Sequence, residues 1–271
     1  IDEETVSREE ATLLDGFSSP NGTAFDAEAG WRKTSFLVEE AVAACSREDA
    51  ARALKALEGS RLSWLETHDR HCDWLQGMIE IAARHLGQSS VGEIWRELMQ
   101  PMFATYDKYD VDKNPWSESA DKLLYVTAEA LRGHLSGPER RGSIEYVEEP
   151  GRKGFRFTPC GSGGRNFDGT ALGNFSRTTE EHDWAWSTKG VCLYCAHCCA
   201  LSELNPIESF GYPARVVEPP YQNEEGQRNY CTWWIFDDPR DIPDELYRRT
   251  GHSKPAAIGS KATRRLKGTG Q

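Results

Sequence analysis

Four cysteines of this chain fall within nine residues, in Val191-Cys192-Leu193-Tyr194-Cys195-Ala196-His197-Cys198-Cys199. With Cys160 upstream and Cys231 downstream, six of the eight cysteines lie between residues 160 and 231. Thiols at two-residue gaps pair poorly with their sequence neighbours as disulfides, but two of them can grip one tetrahedral metal from a tight turn. A four-ligand site needs remote partners, and Cys160 and Cys231 each fall where a strand should meet a loop. The expected metal ligands are therefore Cys160, Cys195, Cys198 and Cys231, with Cys192 and His197 as further members of the site. Zn2+ is the first expectation. Cys192, Cys195 and Cys198 also have the C-x-x-C-x-x-C spacing that holds three irons of a [4Fe–4S] cluster, although Ser202 stands where that motif places its next cysteine. Thiolates suit both metals, so ligand type does not separate them.

Three further features could serve such a centre. In Pro159-Cys160-Gly161-Ser162-Gly163-Gly164-Arg165 the glycines let backbone N–H groups converge on an anion, and Arg165 could clamp a carboxylate or phosphate. The alternative is a tight loop that brings Cys160 to the metal. His182, beside Asp183, and His197 are candidates for moving protons. Finally, His68, Asp69, His71, Cys72 and Asp73 crowd one helix. They form either a solvated face or a surface turned toward the cysteines. Asp110, Asp112, Asn114, Glu118 and Asp121 match calcium-loop ligand positions, but Pro115 occupies the place where such a loop needs glycine, which favours a capped turn between helices.

These residues need elements to hold them. Apolar positions recur with helical period from Trp31 to about Gly137. The pattern predicts a helix through Leu37 and Val42, a second capped by Ser46 and ending at Gly59, and a third from Leu62 to Gly87. A fourth should open on the Ser90/Glu93 capping box, and a fifth should span about 118–135. After Gly137 the texture changes. Ile144, Tyr146, Phe155 and Phe157 alternate around Glu149-Pro150-Gly151-Arg152, which predicts a hairpin. Residues 214–218 and 230–236 read as strands, and 193–204 as a short helix. The expected fold is α+β, an N-terminal helical bundle followed by a small cysteine-rich metal-binding domain. Its expected parts are an acidic arm (1–30), a helical domain (31–140), the cysteine-rich domain (141–240) and a basic tail (241–271).

Composition narrows the function. The chain has 271 residues and a net charge of −11, which opposes a broad nucleic-acid surface. No apolar run reaches the roughly 18–20 residues of a membrane span. Clustered reduced thiols suggest a cytoplasmic setting. The sequence is compatible with a homo-oligomer. Tyr194-Cys195-Ala196-His197-Cys198, Gly211-Tyr212-Pro213 and Cys231 resemble segments of bacterial proteins related to L-2-amino-thiazoline-4-carboxylic acid hydrolase. That resemblance covers the second half of the chain and implies a small heterocyclic or sulfur-containing substrate. The leading expectation is a metal-dependent hydrolase or lyase acting on a small anionic substrate. In this reading Arg165 holds the anion and His182 or His197 moves protons, while four thiolate ligands would instead leave no open position. The alternatives are an iron–sulfur protein with a redox or Lewis-acid role, and a binding module with a structural zinc.

Overall fold

A computed structural model describes residues 37–134, 143–222, 226 and 228–261. The expected arm, residues 1–30, and the last ten residues of the expected tail, 262–271, lie outside them; the first part of that tail is folded and carries a short helix. The fold is α+β, with long helices first and a small antiparallel sheet after them. The chain divides into two units, Ile1–Thr67 and His68–Gln271. The second unit joins much of the helical half to the cysteine-bearing half.

In the first unit, α1 (Leu37–Ser46) buries Ala41 and Ala44. The next helix, α2, runs from Ala50 to Leu86 without interruption, so the second and third expected helices are one. Gly59 does not end it. A Cβ there would stand 3.1 Å from Leu37 Cδ1, so the glycine serves the approach of a neighbouring side chain. Ser46 is not the cap. Its hydroxyl turns back to Val42 O at 3.0 Å, whereas Asp49 Oδ1 accepts the Arg52 N–H at 3.0 Å. An aspartate before the first turn satisfies an otherwise orphaned amide.

In the second unit, α3 (Val91–Phe103) follows a short 3-10 turn at Gln88–Ser90. The expected capping box does not form, because Ser90 is itself helical and its hydroxyl bonds Gly87 O at 2.7 Å. Trp116–Gly133 forms α4. The candidate calcium loop is pinned as a turn: Asp110 Oδ1 accepts the amides of Asp112 and Ser260, each at 3.1 Å, and Asp112 Oδ2 accepts that of Lys261 at 2.6 Å.

The predicted hairpin is present as β1 (Ile144–Glu149) and β2 (Arg152–Phe157), pairing Ile144 with Phe157 and Tyr146 with Phe155. Gly151 has φ +80° directly after Pro150, the sequence a tight turn requires. The sheet order is β1-β2-β6-β3, all antiparallel, with β3 at Val216–Glu218 and β6 at Thr232–Phe236. A minor ladder pairs β4 (Tyr221–Gln222) with β5 (Arg228–Asn229). Short helices complete the unit: α5 (Arg165–Asp168), α6 (His197–Cys199), α7 (Asn205–Phe210) and α8 (Asp244–Arg248). Between α6 and α7 the helix widens into a π turn, Ala200–Leu204, whose five residues are all buried. Among the described residues no helix is long and apolar enough to cross a membrane.

Candidate metal centre and adjoining pocket

The scaffold of the site is the part of α2 that starts at His68. Residues 69, 72, 73, 76 and 80 share one face by helical spacing, and each reaches a loop of the cysteine-bearing half. Asp73 takes the Arg165 guanidinium in a two-pronged bond, 3.0 Å on each side, and Asp69 lies 3.4 Å from Arg165 Nε. Cys72 Sγ is 3.8 Å from the Tyr194 hydroxyl. The Gln76 side chain receives Asn166 and lies 3.8 Å from Cys192 Sγ. Glu80 holds Ser176 through its amide at 2.9 Å and its hydroxyl at 2.7 Å. The polar crowding at His68–Asp73 is thus largely a buried, loop-holding face, with His71 on the exposed side.

From α3, Trp95 supports the cysteine turn. Its indole donates to Leu193 O at 2.8 Å, and its ring packs edge-on to Tyr194 at 6.0 Å. It is 1% exposed, a burial that contributes about 2–3 kcal/mol.

Held this way, Cys160, Cys195, Cys198 and Cys231 line one cavity of about 40 Å³. Cys160 lies just beyond β2, and Cys231 just before β6. These two strands pair, and Phe157 N donates to Cys231 O at 2.8 Å. Cys195 and Cys198 come from the turn that starts α6. The rest of the wall includes Phe157, Trp186, Tyr194, His197 and Trp233. All eight cysteines are free thiols. Among the described residues no group of three or more His, Cys, Asp or Glu is placed to hold a metal ion.

The glycine loop serves Cys160 directly. Gly164 N–H donates to Cys160 Sγ at 3.1 Å, and the Ser162 hydroxyl lies 3.8 Å from it. A Cβ on Gly163 would stand 2.4 Å from Cys195 Sγ, so a sulfur occupies the place of a side chain there. Burial, more than any other influence, pushes the Cys160, Cys198 and Cys231 thiols up, Cys198 to about 12. Cys198 adds to the effect at both Cys160 and Cys231, as like charges gathered on one cavity do. Cys195 is raised well above the usual thiol range, first by its hydrogen bond with Cys192.

Cys192 is fully buried but lies off this cavity, receiving the Asn166 amide at 3.2 Å. The ferredoxin-like trio therefore does not share the cavity, whereas the set with two remote cysteines does. His197 is beside it: Nδ1 donates to Tyr194 O at 2.6 Å, which leaves the Nε2 lone pair 3.4 Å from Cys198 Sγ. His182 stacks on Trp184 at 4.6 Å and lies on neither this cavity nor the next. Arg165, 1% exposed and bound to Asp73 and to Thr170 O, ties α5 to α2. Its fork is committed inside the protein, and the anion-holding role expected of it has no opening to a ligand.

A second cavity, of about 390 Å³, shares the walls formed by His134, Tyr194, His197, Cys198 and Trp233. It runs between α3 and α4 and also contains Arg215, just ahead of β3. Nothing in the sequence signalled Arg215. An arginine beside a strand is ordinarily a surface residue, and here only the tertiary fold buries it.

Comparison with protein-family models, with curated proteins and with solved structures yields no match.

Proposed function

We propose that Cys160, Cys195, Cys198 and Cys231 hold a metal centre, a single zinc or, as the alternative, a [4Fe–4S] cluster, and that this chain is an enzyme using that centre on a small anionic substrate in the adjoining pocket. The observation that carries the reading is the convergence of four thiols from three separate segments on one cavity that shares a wall with a larger one. Four thiolates suit a tetrahedral zinc and an iron–sulfur cluster alike. The Gly164 N–H on Cys160 belongs to the same chemistry, since hydrogen bonds to the sulfurs tune cluster potential.

When bound, such a centre supplies Lewis acidity at an open position or, as a cluster, electron transfer. One observation favours the first, as hydrolysis or elimination. Cys198 alone among the four lines both cavities, and the His197 Nε2 beside it can accept a proton. In either case the chain's own residues exclude water from the centre, through Phe157, Trp186 and Trp233, and keep His197 in one tautomer.

The test is metal analysis of protein purified without oxygen, measuring iron, sulfide and zinc per chain. One zinc per chain and no colour, or four irons with matching sulfide and a visible absorption band, is expected. Serine at any of the four positions should abolish metal binding, while Cys199→Ser should retain it. Protein free of both refutes the metal centre.

A further inference from the structure

Arg215 is 6% exposed, and its described partners are neutral. Nη1 donates to Thr127 Oγ1 at 3.2 Å, and Nη2 donates to the Tyr106 hydroxyl. Nε has no partner, and no carboxylate among the described residues pairs with the guanidinium. The Trp233 and Tyr106 rings face it at 4.8 and 5.6 Å. A guanidinium has five N–H donors, so most of them are left over. A buried cation without a counter-ion is costly, and this one borders open space. Its charge also reaches Cys198, His134 and His197, which line the same pocket.

The pocket has the size of a small-molecule site, which typically falls in the range of about 300–1,000 Å³. Its walls are largely apolar and aromatic, with Trp95, Met99, Tyr109, Leu123 and Leu201 among them. Met102, Val126 and Ala130 line it and are themselves exposed, so they mark its mouth.

We propose that this pocket binds a planar aromatic monocarboxylate, with its carboxylate on Arg215 and its ring among the aromatic walls, and that Arg215 is therefore the residue that selects substrate. The inference rests on the reading of the pocket as the substrate site and adds the charge, the body and the residue. Arg215 is the buried cation of the pocket and matches a single negative charge there; Lys108, the other cation on its wall, is exposed to solvent. A carboxylate accepts from its fork in the paired geometry that makes such contacts strong.

Calorimetric titration of the full chain with benzoate, benzamide and phenyl phosphate tests it. Benzoate should bind, benzamide should bind about 10- to 100-fold more weakly, as loss of a hydrogen bond to a charged group implies, and phenyl phosphate should not exceed benzoate. Arg215→Met should weaken benzoate by a similar factor. Ala130→Trp, which fills the mouth and leaves Arg215 and every cysteine in place, should abolish binding with metal content unchanged. No benzoate binding by the wild type, benzoate binding unaffected in both variants, or a preference for phenyl phosphate would each overturn the proposal. Metal content is read separately, so benzoate binding by metal-free protein would refute the metal centre and keep this pocket, and metal-loaded protein that ignores benzoate would do the reverse.

Discussion

In Gly163→Ala the added methyl would sit 2.4 Å from Cys195 Sγ and 3.3 Å from Tyr194 Cδ1. Ordinary contact begins near 3.4 Å, so the sulfur or the loop must move by 3.4 − 2.4 = 1.0 Å. Metal–ligand distances tolerate about 0.2 Å, and a sulfur displaced that far no longer ligates. The strain itself is that of an overpacked interior, about 1–3 kcal/mol. Two measurements separate the effects. Chemical denaturation of metal-free protein should show a loss within that range and an unchanged slope, since the unfolded state is the same. Metal content after anaerobic purification should fall well below the wild-type level although all four cysteines remain. A variant that is as stable as the wild type and as fully loaded would refute the claim that Cys195 Sγ faces both Gly163 and the centre.

Asp73→Ala should be among the most damaging changes away from the cysteines. It leaves Arg165 buried with only Asp69 nearby, and losing one partner of a buried pair costs about 3–5 kcal/mol. A loss below about 1 kcal/mol in urea denaturation would show that Asp73 does not anchor the glycine loop. Glu208 is held down to about 2, first by its hydrogen bond with His252 and then by Arg96. A depressed carboxylate stabilises the fold above its ordinary value of 4.5, and that contribution is lost as pH falls from there toward 2. Because the side chain is 39% exposed, screening holds the effect below about 1 kcal/mol. The stability gap between wild type and Glu208→Gln should thus be present at pH 7 and narrow below about pH 4.5; a gap that stays constant would contradict it.

Much of the scaffold was legible because local patterns and tertiary packing agree in it. The hairpin is specified by alternation and by Pro150-Gly151, both short-range signals, and its register follows from them. Where local signals misled, a competing local bond had displaced them. Ser46 and Ser90 look like caps, but their hydroxyls turn back to the preceding turn, and Asp49 does the capping at α2. Gly59 looks like a stop signal, yet a helix tolerates glycine at about 1 kcal/mol when a neighbouring side chain needs the space. Arg165 and Arg215 show the limit most clearly. Glycines beside Arg165 suggested an anion site, but its partner Asp73 is 92 residues away, and no local pattern announces a buried ion pair.

The two arginines divide the two tasks that a cysteine centre with a substrate would require. Arg165, neutralised by Asp73 and nearly sealed from solvent, fixes the loop that carries Cys160, and a residue so committed contributes order rather than recognition. Arg215, hydrogen-bonded to two hydroxyls and to no described acid, lines the larger cavity, where under the proposal above it would meet the substrate's charge. An anion bound there would share the cavity with Cys198 and His197. The binding step would thereby bring substrate to the one cysteine that belongs to both cavities, and any chemistry at the centre would start from that wall.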